Sequence, residues 1–291
     1  MILGNRALLL VAICAACKAA GPLTPIPPYQ PRDADPSWSP DGTHLVFDRT
    51  NTPLWDSGIY ITSVDSFVPR VILKGAFAPS WNPGSTALAF QGGGHGIGLI
   101  DVSTLAITDL VDTGFGAAPA WSPNGALIAF SFADSSGQPL NLWLVNASGG
   151  PPRRVPLPGA PRPRMDHPSW SPDSRRIVVS QGQRLFVTDT LGVDTAWITP
   201  SGTVAVTPAW QPQGNWIAYG KQPTGAFANL WLIHPDGTGD HQIVLDGAFP
   251  SWSPDGKHIA FVQVSNLQSA IWSVDTAGMN QTRMTDPSKN P

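Results

Sequence analysis

The chemistry open to this chain is narrow. Its 20 acidic residues are all Asp, so acid/base work by carboxyl groups would need paired aspartates. Most of them, among them Asp41, Asp173, Asp236 and Asp255, fall in turn segments, where an Asx side chain serves its own backbone. The two cysteines, Cys14 and Cys17, lie in the first 17 residues, which leaves no thiol nucleophile downstream. No G-x-S-x-G nucleophile elbow occurs. The six histidines (44, 95, 167, 234, 241 and 258) lack the short spacing of a metal pair, and His44 and His258 hold equivalent places just after a turn. Gly92 to Gly98, reading GGGHGIG, could cradle a phosphate, but no helix follows it, and a hairpin loop accounts for it better. The sequence therefore predicts no catalytic set, no metal and no cofactor.

The residues that could still form a site depend on how the chain repeats. Six segments align: PSWSPDGTHLVF (36–47), PSWNPGSTALAF (79–90), PAWSPNGALIAF (119–130), PSWSPDSRRIVV (168–179), PAWQPQGNWIAY (208–219) and PSWSPDGKHIAF (250–261). Their tryptophans, Trp38, Trp81, Trp121, Trp170, Trp210 and Trp252, are 43, 40, 49, 40 and 42 residues apart, the length of one four-stranded propeller blade. Within a unit, P-x-W opens a strand where proline removes no ladder bond. S-P-D-G then supplies a turn, with glycine taking the positive φ. An apolar strand follows, then a third strand with an aromatic (Tyr60, Trp143, Phe186, Trp231, Trp272) and a more polar fourth. Ser174 in place of the turn glycine, and the altered turns at 82–85 and 211–213, predict local strain without loss of a blade.

The P-x-W-S-P-D-G signature followed by an I-A-F strand resembles the TolB-type β-propeller repeat, a relative of WD repeats, over about residues 36–286. The resemblance implies an all-β fold, a six-bladed β-propeller of four-stranded antiparallel blades, ending where a seventh motif would begin. It also implies a bacterial envelope compartment and docking of other envelope proteins at the channel mouth. It brings no catalytic residues, and the N-terminal α/β domain of full-length TolB has no counterpart in this sequence.

In such a ring the residues just before each P-x-W line the channel mouth. Five of them are candidates for binding: Asp35, the pair Asp166 and His167, and the apolar Phe77 and Phe249. A second candidate is the long connection 146–167. Between 151 and 184 lie seven of the twelve arginines, among them Arg153, Arg154, Arg162 and Arg164, and guanidinium forks suit carboxylates and phosphates. A solvated surface loop and a water-filled rim explain the same residues without function.

Composition fits this reading. Charged residues are 13% of the chain, about half the usual share, and Pro (31), Gly (29) and Trp (12) are abundant. A net charge of −3 gives no basic footprint for nucleic acid. Residues 1–16 read as a secretory signal, because the apolar run from Ala7 to Ala16 is too short to span a bilayer. Ala15-Ala16-Cys17 resembles a lipoprotein cleavage site with Cys17 lipidated, although Cys14 stands where leucine is usual. Residues 17–32 are a proline-rich tether, and 33–291 the propeller.

The expectation is a monomeric, non-enzymatic lipoprotein of the periplasm or outer membrane, held by its lipid anchor alone, that docks an envelope protein. The alternative is a carbohydrate-binding or carbohydrate-active propeller, lyase-like or hydrolase-like, that uses the channel mouth.

Overall fold

The computed structural model describes residues 31–50, 56–92, 96–112, 115–133, 141–157, 165–223, 227–265 and 268–288. The signal, Cys17, nearly all of the tether, His95, Arg162 and Arg164 lie outside them. Among the described residues there is no α-helix and none long and apolar enough to cross a membrane.

Six antiparallel sheets of four consecutive strands form the blades. Blade 1 holds β1 (Arg32–Trp38), β2 (His44–Thr50), β3 (Gly58–Ser63) and β4 (Arg70–Lys74), and blade 2 holds β5 (Ala76–Trp81), β6 (Ala87–Gly92), β7 (Ile97–Asp101) and β8 (Ile107–Val111). Blade 3 has β9 (Phe115–Trp121), β10 (Leu127–Ala133), β11 (Asn141–Asn146) and β12 (Arg153–Arg154). In blade 4 come β13 (Met165–Trp170), β14 (Arg176–Gln181), β15 (Arg184–Asp189) and β16 (Thr195–Trp197). Blade 5 contains β17 (Ala205–Trp210), β18 (Ile217–Lys221), β19 (Asn229–Ile233) and β20 (His241–Val244). The last blade is β21 (Gly247–Trp252), β22 (His258–Ser265), β23 (Gln268–Asp275) and β24 (Thr282–Arg283). The first strands of successive blades touch one another, and β21 touches β1, so these six line the centre of a closed ring. One face carries the connections into each first strand and the loops between second and third strands. The other carries the tight turns.

Each turn is held by its own sequence. Ser39 Oγ donates to Asp41 Oδ1 at 2.6 Å, and the Thr43 amide donates to the same oxygen. Ser171 with Asp173 and Ser253 with Asp255 repeat the pair, while Asn124 takes the Asp place in blade 3. The Ser39 hydroxyl, and then the Thr43 amide, hold the Asp41 carboxyl at about 2, well below the usual range.

Apolar packing joins the blades. Every signature tryptophan packs against the blade before it: Trp81 against Val46 and Ile59, Trp170 against Leu142 and Leu144, Trp210 against Val178 and Leu185. Trp38 meets the blade 6 cluster around Ala260 and Ile271, which closes the circle. Second and third strands pair aromatics in register, as in Phe47–Tyr60 and Phe261–Trp272. Blades 4 and 2 depart from this: Val179 faces Phe186, and Phe90 faces Gly98, where a Cβ would stand 2.5 Å from Phe90 Cζ.

The polar seams between blades are of two alternating kinds. Passing from an even blade to the next odd one, the tryptophan amide donates to the preceding serine: Trp121 to Ser80, Trp210 to Ser169 and Trp38 to Ser251. At these seams the turn glycines 125, 214 and 42 lie against Pro83, Pro172 and Pro254. From odd to even, the indole N–H crosses instead: Trp81 to the Ser37 carbonyl, Trp170 to Ala120 and Trp252 to Ala209. Here Ser85 and Ser174 occupy the turn-glycine place at φ +56° and +59°, the strain their residue type predicts. Their hydroxyls accept the amides of Asp41 and Asn124 from the neighbouring blade. The third such seam has no serine, and Gln211 and Gln213 side chains donate to the Gly256 and Pro254 carbonyls instead.

Among the described residues no strand is exchanged between the first and last blades, so side chains close the ring. Trp38 donates to Ser251 across this seam, and beside it, within blade 1, Asp33 holds Arg49 through two bonds, Nε–Oδ1 at 2.6 Å and Nη2–Oδ2 at 3.0 Å, with both side chains fully buried. Ser269 of blade 6 donates to the Asp33 carbonyl. Burial pushes the Asp33 carboxyl up, against the lowering pull of Arg49.

Candidate functional site

All six first strands break register at one place, between the residue two before the proline and the residue after it. The residue preceding each proline is the extra one of a β-bulge, and all six have left-handed φ: Asp35 +46°, Ala78 +50°, Ala118 +48°, His167 +52°, Thr207 +50° and Phe249 +54°. A bulge leaves a backbone position unpaired, and proline has no N–H to strand there. Side chains at these positions and the ones before them turn into the channel near the end where the first strands begin. The backbone thus repeats six times while the side chains differ from blade to blade.

Asp35, Asp166, His167 and Phe249 come together here. His167 of blade 4 reaches the opposite blade, its Nε2 lying 3.7 Å from Asp35 Oδ1. Its Nδ1 lies 3.3 Å from Oδ1 of Asp166, which also accepts the His167 amide at 3.2 Å. The imidazole stands edge-to-face with Phe249, ring centroids 5.7 Å apart, and the Phe249 amide donates to Thr207 Oγ1. These polar side chains keep 20–25% of their surface exposed, so the constellation faces the mouth rather than the core. Blades 2 and 3 offer only Ala78 and Ala118 at this level, beside half-buried Phe77, which occupies the register place that Asp166 has in blade 4. The mouth is therefore lopsided: filled and acidic on one side, small and apolar on the other.

Arg153 and Arg154 sit elsewhere. They form β12, the outermost strand of blade 3, where Arg153 donates to the Thr190 carbonyl and Arg154 to Asn141 Oδ1. These two arginines and the channel mouth are separate features. Among the described residues no group of three or more His, Cys, Asp or Glu is placed to hold a metal ion. The constellation can exchange a proton between imidazole and carboxylates, or hold a positive charge.

Reasoning from the sequence found the mouth residues but missed their backbone, because Ala, Thr and Phe are not residues that signal left-handed φ. It also missed Asp33. A signal was present: the position two before the bulge residue is Ala76, Gly116, Met165, Ala205 and Gly247 in the other blades, and charged only in blade 1.

No family model matches the chain. An uncharacterised protein of Agrobacterium fabrum is 30% identical over 202 residues, 64% of each chain. The Tol-Pal system protein TolB of Francisella tularensis subsp. mediasiatica is 28% identical over 278 residues, covering 73% of this chain and 64% of TolB. The chain thus spans a little under two thirds of each of these relatives. Among solved structures, TolB from Acinetobacter baumannii superposes with a TM-score of 0.67 at 17% identity, over 86% of this chain and 62% of that one. An oligogalacturonate lyase in complex with manganese gives 0.60 at 12% identity, over 88% and 78%. The architecture is a six-bladed β-propeller. Repeat, ring and relatives together support a propeller similar to the TolB type.

Proposed function

We propose that this chain is a non-enzymatic docking module of the bacterial envelope, exported, lipid-anchored at Cys17, and engaging another envelope protein through its channel mouth. The observation that carries the reading is the contrast at the bulge: one backbone conformation in all six blades, six positions that share no common side-chain chemistry. A merely structural position would repeat its residue, as the tryptophan does. Variable side chains on a rigid, repeated frame are what recognition needs. The TolB relatives support a role in interaction rather than catalysis, while fold alone assigns no activity.

The test is site-specific photo-crosslinking in cells, with a photoreactive phenylalanine at Phe77 or Phe249 and a control at Val193 on the turn face. An envelope protein crosslinked from both mouth positions and not from Val193 supports docking. Mouth positions that capture no more than the control overturn it, and retention of glycans by the purified chain would then favour the carbohydrate-binding alternative.

A further inference from the structure

Resting on that docking reading, we infer that segment 23–29 of this chain lies across the mouth face as a polyproline strand, and that a partner must displace it. Its seat is an apolar strip that runs from Phe249 to the rim of blade 5. Phe249 and Ala248 enter the mouth from blade 6 and Val206 from blade 5, all half-buried. Val206, Ala228 and Ala248 converge on Gly220, whose Cβ would stand 3.2, 3.4 and 3.6 Å from their side chains. Next to Ala228, Phe227 leads into β19 with 57% of its surface exposed, and Leu245, in the connection to β21, keeps 64%. The Asp246 amide donates to Asn229 Oδ1 at 3.0 Å, which ties together the two segments that carry them. Joined to the mouth in this way, the two side chains extend one apolar surface and are not scattered exposures.

The chain contains a segment that matches the strip. Residues 19–31 read AAGPLTPIPPYQP and carry no charge. A polyproline helix has three residues per turn, so Leu23, Ile26 and Tyr29 fall on one side, away from Thr24 and Gln30. Aromatic-lined grooves bind such ridges at low entropic cost, because the conformation is preset. At about 3.1 Å per residue the three side chains stand roughly 9, 19 and 28 Å from Arg32, where β1 begins on the mouth face. Sheets about 10 Å apart, with strands about 4.8 Å apart, put the outer strands of blade 5 roughly 30 Å from β1. Tyr29 then meets Phe249, Ile26 meets Val206 and the two alanines, and Leu23 meets Phe227 and Leu245.

The experiment places a photoreactive phenylalanine at Phe227 of the full chain in cells and maps its products by mass spectrometry, with Val193 on the turn face as control. A product joining position 227 to residues 23–29 of the same chain is expected, and none from Val193. Leu23→Asp and Ile26→Asp should each lower its yield about tenfold. Thr24→Asp and Gln30→Asp, on another side of the helix, should leave it unchanged. In Ile26→Asp the envelope protein captured at Phe249 should rise about tenfold, because the mouth no longer has to be cleared.

The inference falls if position 227 captures nothing within 23–29, or if Thr24→Asp lowers the yield as Ile26→Asp does. A product of twice the chain's mass would give the strip to a second copy and overturn it as well. Its failure is distinct from that of the docking reading. An envelope protein captured at Phe249 with equal yield in parent and Ile26→Asp keeps docking and overturns displacement. An intrachain product with no envelope protein at the mouth keeps the covered strip and overturns docking.

Discussion

Removing Asp33 should destabilise blade 1 beside its seam with blade 6. Asp33→Ala leaves the Arg49 guanidinium with no counter-charge, in a place from which solvent is excluded, its Nη1 already without an acceptor among the described residues. The Phe47 and Tyr60 rings, with centroids 5.4 Å and 5.1 Å from the guanidinium carbon, offer it only their faces. Breaking one half of a buried pair costs about 3–5 kcal/mol, most of it the desolvation of the charge left behind. Arg49→Met should cost a similar amount by stranding the carboxylate. The double variant gives blade 1 an alanine where blades 2 and 5 have Ala76 and Ala205, and methionine fills the space of the arginine stem. It should lie within about 2 kcal/mol of the parent, since an apolar replacement of both partners is often neutral. Urea unfolding followed by tryptophan emission would read all four proteins of this cycle. Single costs below about 1 kcal/mol, or single costs that simply add in the double variant, would refute the claim that the pair acts as one buried unit.

Gly98→Ala should destabilise by about 1–3 kcal/mol through overpacking, because its Cβ would meet the Phe90 ring at 2.5 Å; Phe90→Leu in the same protein should recover part of the loss in thermal melts. Acid should act through the turn aspartates. The folded carboxyl of Asp41, at about 2, lies below its unfolded value near 3.9, so its contribution is complete above about pH 4 and is lost as the pH falls towards 2. Asp41→Asn should flatten the acid limb of a stability-versus-pH curve over that window, and an unchanged limb would dismiss the turn as its source. Cys17→Ser should move the protein from the membrane to the soluble fraction of cells, and a variant that still sediments with membranes would end the lipid-anchor reading.

Much of the fold was legible in the sequence because its determinants are local and repeated. P-x-W-S-P-D-G fixes a strand start, a turn and a packing anchor within seven residues, and six copies leave little choice of architecture. Asp35, Asp166, His167 and Phe249 could be placed at the mouth by register alone. That His167 spans the ring to Asp35 could not, since their separation across the channel depends on how six blades close. The alternation of the seams was hidden for another reason. It lies in Ser80, Ser169 and Ser251 against Ser37, Ala120 and Ala209, small residues whose types overlap and whose exchange leaves the hydropathy pattern almost untouched. Ser85 and Ser174 read as departures from the turn consensus, and only the neighbouring amides show them to be acceptors.

That alternation gives the ring a parity. Odd blades present a tryptophan amide to one neighbour and the carbonyl of the residue before that tryptophan to the other, whereas even blades present a serine hydroxyl and an indole N–H. Every seam sets an acceptor of one blade against a donor of the next, and the groups that form it repeat only every second blade. The natural unit of gain, loss or exchange is then the couple of blades, about eighty to ninety residues, of which this molecule contains three. Swapping one couple for another would leave every seam matched while resetting two of the six residues at the mouth.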